Sequence, residues 1–251
     1  MGDGVDRVAV PTYRVAALVA PAVDRIFVSA MAAVRLGGGS RLVQRHGGRD
    51  AIGFLIDLRT RLAAPGGTVD WTGFAAITRY RDPAECQRAL DRQVAHGMIR
   101  RMPAGFAATE RGLTFLAELY DLHAEVTAAV WRDHADRVRR LAGAAGRLLG
   151  AAAADAGPAF AAVAPPYEPA GAPAGLLLLN RLGTLRLHRA DAHAAAWAAA
   201  GHTAAGIQLL EAGPERQAIE QETDRRAAGP YATLTPDERL DLLADLAALP
   251  G

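Results

Sequence analysis

The residues best suited to chemistry lie in one run, Leu185–His193, which reads LRLHRADAH. At about 100° per residue, a helix places two arginines and a histidine near this run on one apolar face. That face contains Leu182, Leu185, Arg186, Arg189, His193 and Trp197. A buried charge is costly unless it is paired, so we expect acidic partners or an anionic ligand against these side chains.

A later helix, expected from Pro214 through Ala227, offers such partners. Glu220 and Asp224 lie four residues apart, on the same face as Thr223. Two short, well-capped turns separate this helix from the arginine-bearing one. We therefore expect the two helices to pack together and at least one acid to pair with an arginine.

Two interpretations of this cluster remain open. In the first, ion pairs between helices only stabilise the fold. In the second, Arg186, Arg189 and His193 line a pocket for an acidic or polar small molecule, with Trp197 as a floor. Both predict that His193 borders any cavity left between the helices. The candidate ligand-binding residues are Arg186, Arg189, His193, Trp197, Glu220 and Asp224.

A metal site or a covalent mechanism has less support. His188 and His193 are five residues apart and diverge by about 140° on a helix, whereas helical zinc pairs are usually four apart. The only cysteine is Cys86, and no G-x-S-x-G nucleophile elbow is present. We therefore predict no metal, no cofactor and no catalytic residues. These observations favour a protein that is not an enzyme, and an enzyme stays an alternative.

The elements that position these residues divide the chain into four parts. Residues 1–49 form a helical segment, with a helix from Thr12 toward Leu36 that ends at a glycine triplet. Residues 50–149 hold a winged helix-turn-helix and a long following helix. Residues 150–175, rich in Ala, Pro and Gly, form a connector, and residues 176–251 form a C-terminal helical module. The expected class is mainly α.

The winged helix is expected between about Asp50 and Tyr120. A helix from Asp50 to Ala63 precedes Asp82-Pro83, which is an N-cap followed by a first-turn proline. Gly97 suits a left-handed helix end. Met98–Met102, a Pro-Ala-Gly turn and Phe106–Ala108 then predict a short β-hairpin wing.

Thr109-Glu110-Arg111-Gly112 caps the next helix, and its T-x-x-G-x-x-x-L pattern resembles winged helices of the MarR and PadR type. The L-R-x-H-R-x-D-x-H run, followed by Ile219-Glu220-x-x-Thr223-Asp224-Arg225 and Pro230-Tyr231, looks like a family of actinobacterial, MarR-like helix-turn-helix proteins. The resemblance implies a dimeric regulator that binds double-stranded DNA and responds to a small-molecule effector.

The predicted recognition helix and wing carry the DNA-binding candidates. These are Arg81, Arg88, Arg92, Arg100 and Arg101. Between Thr68 and Phe115, however, seven arginines stand against five acids, and the wing tip has no basic residue. That surplus of positive charge is small for phosphate binding. A homodimer would double the number of phosphate contacts.

The composition of the chain limits the classes of function and the cellular locations to be considered. The net charge is +1, and all 28 basic residues are arginines, so there is no global basic field of the kind seen in non-specific nucleic-acid binders. A single cysteine fits a reducing compartment, and we predict a soluble cytoplasmic protein without a signal peptide, transmembrane helix or membrane partner. The leading hypothesis is a MarR-like regulator. The alternative is a small-molecule-binding protein, or an enzyme of specialised metabolism, on a winged-helix scaffold with its site around Arg186, Arg189 and His193.

Overall fold

A computed structural model describes residues 10–250 of the chain. The first nine residues of the predicted N-terminal segment, and Gly251, lie outside that range. The described chain is mainly helical and contains one small, three-stranded antiparallel sheet. The predicted mainly-α class is therefore confirmed.

The N-terminal segment consists of α1 (Thr12–Val34) and α2 (Ser40–Arg45), joined by a π-helical turn over Arg35–Gly39. The glycine triplet ends α1, as expected, but it forms one wide helical turn. Gly38 has φ of 142°, which favours glycine, and a Cβ on Gly39 would lie 2.9 Å from the carbonyl oxygen of Val34.

The prediction of a single helix from Asp50 to Ala63 was wrong. The structure has α3 (Gly48–Ile52), a 3-10 turn (Gly53–Leu55) and α4 (Arg59–Leu62). The helix breaks at Gly53, where φ is +40° and a Cβ would lie 2.2 Å from Nε2 of Gln93. The buried Gln93 side chain accepts from the backbone N–H of Phe54 at 3.2 Å, which stabilises the break.

The sheet and its helices follow in a fixed order. They are β1 (Thr68–Asp70), α5 (Trp71–Ile77), α6 (Pro83–Ala95), β2 (Ile99–Met102), β3 (Gly105–Ala108) and α7 (Glu110–Val130). The strand order is β1-β3-β2, with Phe106 opposite Val69 on one side and Arg101 on the other. The β2–β3 hairpin was predicted from the sequence, whereas β1 was not.

The predicted helix caps of this region are present. Asp82 accepts from the backbone N–H of Glu85 at 2.7 Å, and Thr109 accepts from that of Gly112 at 3.2 Å. Gly97 has the expected left-handed conformation, with φ of 67°.

The remaining helices form the second half of the chain. They are α8 (Ala135–Ala152), α9 (Pro158–Ala161), α10 (Ala174–Ala199), α11 (Ala204–Leu209), α12 (Pro214–Arg226) and α13 (Pro236–Ala248). Short 3-10 turns cover Arg132–His134, Ala153–Asp155 and Gly229–Thr233. Thr235 and Glu238 form a capping box at the start of α13.

Two main apolar cores hold the fold. One combines the two ends of the chain, since Val15 and Ile26 of α1 pack in the same cluster as Leu141, Leu178 and Leu246. The other is built from residues of α3 to α7. It includes Leu55, Leu90, Phe106 and Phe115.

The segment 150–175, expected as a connector, does link α8 to α10 but is packed against the protein. Ala159, Phe160 and Val163 are buried, and α9 lies against α5. Composition alone could not reveal this packing, because the burial depends on Asp191 of α10, which accepts from the backbone N–H groups of Ala159 and Phe160.

Polar contacts also tie α1 to the C-terminal helix. Arg25 donates to the carbonyl oxygens of Leu246 at 2.7 Å and Leu249 at 2.9 Å. These carbonyls belong to the last turn of α13, where helical acceptors lack partners within the helix.

One helical stretch of the described chain, residues 12–45, is long and apolar enough to cross a membrane by length and composition alone, although the sequence predicted no such helix. Seven side chains of α1 are buried within the protein. A single stretch of this kind fits the core helix of a soluble protein. The cytoplasmic location stays a prediction.

Candidate ligand site and candidate nucleic-acid interface

An open cleft of about 310 Å³ lies between α1, α10, α12 and the 3-10 turn at Gly229–Thr233. Helix α10 contributes Arg186, Arg189 and His193, which are three and four residues apart and so share one face. The opposite walls are apolar residues of α1, with Glu220 and Thr223 of α12. The structure therefore brings the predicted arginines and histidine to one cavity.

Arg189 pairs with α12, as expected. Its Nη1 lies 2.7 Å from Oδ1 of Asp224, and its Nη2 lies 3.5 Å from Oε2 of Glu220. Asp224 stands behind Arg189 and is not itself a lining residue. The Arg189 guanidinium is half-buried and already compensated, so it orients the cleft without requiring an anionic ligand.

His193 is a cleft residue with hydrogen-bonding capacity to spare, as is His188, which lines the same cleft. Its Nδ1 lies 3.1 Å from Oγ1 of Thr223, whose hydroxyl donates to the carbonyl of Ile219 at 2.8 Å. The Thr223 oxygen must therefore accept, so Nδ1 carries the proton and Nε2 is left as an acceptor. Partial burial lowers the pKa of His193, which favours the neutral ring.

Arg186 has a different partner from the one expected. Its Nε lies 2.5 Å from Oδ1 of Asp24 in α1, and its guanidinium stacks 4.6 Å from the centre of the Phe27 ring. Nothing in the sequence indicated that α1 supplies this wall, because its acidic residue is 162 positions away.

Trp197 was expected beside the same pocket and does not line it. Its Nε1 donates to the hydroxyl of Tyr80 at 3.1 Å, and its ring packs against the small cluster of Ala196, Ile207 and Ile219. These contacts place the indole outside the cleft, although Trp197 lies only four residues after His193.

Two polar residues near the cleft were missed or misjudged. Tyr231 lines it, and burial raises the pKa of its phenol, so the hydroxyl stays protonated. Asp191 of α10 is buried, pairs with Arg79 and accepts from two backbone N–H groups of α9. Residues 10–250 include no group of three His, Cys, Asp or Glu side chains placed to hold a metal ion.

The candidate nucleic-acid interface is α6 with the β2–β3 hairpin. Arg88 pairs with Glu85 at 2.8 Å, and Arg92 pairs with Glu85 and Asp50, each at 3.0 Å. These two guanidiniums lower the pKa of Glu85. The arginine charges on this face of α6 are thus compensated by carboxylates of the same chain.

The other three arginines differ in their partners. Arg101 pairs with Asp91 at 2.7 Å, and Arg81 with Asp57 at 3.2 Å. Arg100 is exposed and makes no ion pair within residues 10–250. Exposed pairs are weak and exchange readily, yet each must be opened before its arginine can contact a phosphate.

The cleft can thus hold a small molecule by apolar contact with α1, a hydrogen bond to Nε2 of His193 and a second polar contact at Glu220. Arg189 and Thr223 position these groups without being free themselves. No protein-family model, curated protein or solved structure matches this chain.

Proposed function

We propose that the protein binds a small polar molecule in the cleft between α1, α10 and α12. The observation that carries this proposal is His193, which lines the cleft with Nδ1 hydrogen-bonded to Thr223 and with no hydrogen-bond partner for Nε2 among residues 10–250. Because Arg186 and Arg189 already have carboxylate partners, the ligand donates a hydrogen bond through a hydroxyl or amine group.

The test is native mass spectrometry of the protein as purified, followed by thermal unfolding with a panel of sugars, polyols and amines. A ligand raises the melting temperature only through the folded state. His193→Ala should keep the wild-type melting temperature but lose the ligand-induced increase. His202→Ala is the matched control, because His202 pairs with Glu215 away from the cleft. Equal stabilisation of both variants would contradict the proposal.

A second candidate, favoured by the order of elements, is a winged-helix, MarR-like regulator. The order helix, strand, helix, helix, hairpin, helix supports a winged helix, in which α6 would enter the major groove and the hairpin would touch phosphates. The homodimer predicted for such a regulator would double the number of arginines that a weakly positive surface offers to DNA. Its function would then depend on opening the arginine–carboxylate pairs of α6.

Gel retardation at low salt tests this candidate. Arg100→Ala should weaken binding to all duplexes alike and lower the salt slope, because Arg100 is the candidate that needs no pair opened. Arg88→Glu should abolish sequence preference. If neither the protein's upstream region nor random duplex is retarded, the regulator is excluded and the ligand-binding proposal stands alone.

A further inference from the structure

A second, larger cleft lies on another side of the molecule, between the π-helical turn, the broken helix α3–α4, α6 and α7. Its volume is about 620 Å³. The exposed surface of the walls is mostly apolar, and charged residues are placed among the apolar ones. The apolar residues include Met31, Val34, Val43, Ile52, Phe54 and Ile56. A cavity of this size and lining suits an aliphatic organic molecule.

His123 of α7 lines this cleft and is fully buried, with 0% of its surface exposed. Neither Nδ1 nor Nε2 has a hydrogen-bond partner in residues 10–250. Burial, assisted by the charge of Arg59, lowers the pKa of His123 to about 2, so the ring is neutral and offers one donor and one acceptor. Buried polar groups are rarely left unpaired, and this one belongs to the wall of the cleft.

The rim of the cleft is positively charged. Arg35 and Arg49 are exposed and form no ion pair in residues 10–250, while Arg81 and Arg92 are paired with Asp57 and Asp50. An anionic group would find two uncompensated guanidiniums there.

The break in the helix forms part of the wall. Gly53 turns the chain at this break, and Ile52, Phe54 and Ile56 on either side of it line the cleft. The π-helical turn, a feature frequent at functional sites, forms part of the opposite wall through Arg35 and Gly39.

We propose that this second cleft binds an aliphatic carboxylate with a further polar group, which hydrogen-bonds to His123 while the carboxylate lies against Arg35 and Arg49. The proposal is independent of the ligand at His193, because the two clefts share no lining residue.

Isothermal titration calorimetry with defined acids tests it. The probes are 6-hydroxyhexanoate, 8-hydroxyoctanoate and 10-hydroxydecanoate, each compared with the acid that lacks the hydroxyl. Wild-type protein should bind at least one hydroxy acid about tenfold more tightly than its partner, a difference expected of one added hydrogen bond in a buried site.

Three variants sharpen the result. His123→Leu should erase the preference for the hydroxyl, and Arg49→Gln, an exposed change that spares the core, should weaken binding of every carboxylate at least threefold. His193→Ala, in the other cleft, should bind all probes as the wild type does. Absence of saturable binding by wild type, or a hydroxyl preference that survives His123→Leu in a folded variant, overturns the proposal.

Discussion

The guanidinium groups of this protein fall into two energetic classes according to their burial. Arg88, Arg92 and Arg101 make exposed pairs, which water and salt screen, so each contributes little to stability. Arg79 and Asp191 form a pair with 11% and 8% of the side chains exposed, so neither charge can turn to water if its partner is lost.

Asp191→Asn should therefore destabilise the protein by about 3 kcal/mol or more. The change leaves the Arg79 charge buried without a counter-charge and places an amide NH2 against the backbone N–H groups of α9. Urea denaturation measures the loss. Glu85→Gln, at an exposed pair, is the control and should leave the free energy of unfolding close to that of the wild type. Equal effects would show that burial does not separate the two classes.

The sequence predicted that at least one acid of α12 pairs with an arginine of α10, because helical spacing and short turns bring the two faces together, and Arg189–Asp224 is such a pair. It could not predict Arg186–Asp24 or Arg79–Asp191, because their partners are 162 and 112 positions apart. Local spacing carries no information about which distant helix becomes a neighbour. His123 escaped notice for the same reason, since its lack of partners is a property of the folded environment.

At the scale of elements, the helix ends were predictable because capping uses residues adjacent in sequence. Asp82, Thr109 and Gly97 all act as expected. The interruption at Gly53 was not predictable, because a glycine within an apolar helical pattern is usually tolerated. The space that a Cβ at this position would need is occupied by the side chain of Gln93, which is distant in sequence.

Two glycine-to-alanine changes should act with opposite signs. Gly97 has φ of 67°, so Gly97→Ala should destabilise by about 1 kcal/mol, although no atom lies within 4 Å of the new Cβ. Gly143 lies inside α8 and is also open to solvent, so Gly143→Ala should stabilise by up to about 1 kcal/mol. Thermal and urea unfolding of the two variants distinguish backbone conformation from crowding. Two shifts of the same sign would contradict this explanation.

For the whole molecule, stability should fall as the pH is lowered from neutrality. Burial lowers the pKa of His123 to about 2 and lowers the pKa values of His188 and His193 below 6.5, whereas histidines of the unfolded chain titrate near 6.5. Below that pH the unfolded state binds protons that the folded state does not, which favours unfolding.

Each histidine that stays neutral in the folded protein contributes a slope of at most about 1.4 kcal/mol per pH unit. Urea unfolding between about pH 7 and 5 should show this decline before most carboxylates titrate. His123→Leu should reduce the slope by the share of one proton. A free energy of unfolding that is constant over this range would contradict the pKa directions.

The contact between Arg25 and the last turn of α13 has a consequence for how the protein is made. These partners are 221 residues apart, so at about 5 to 20 residues per second the ribosome needs about 10 to 45 s between them. During that time the apolar face of α1 has emerged without α13, one of the helices that cover it. Nascent chains stalled before residue 236 should leave α1 open to protease or bound by a chaperone, and α1 should become protected only once α13 has left the exit tunnel.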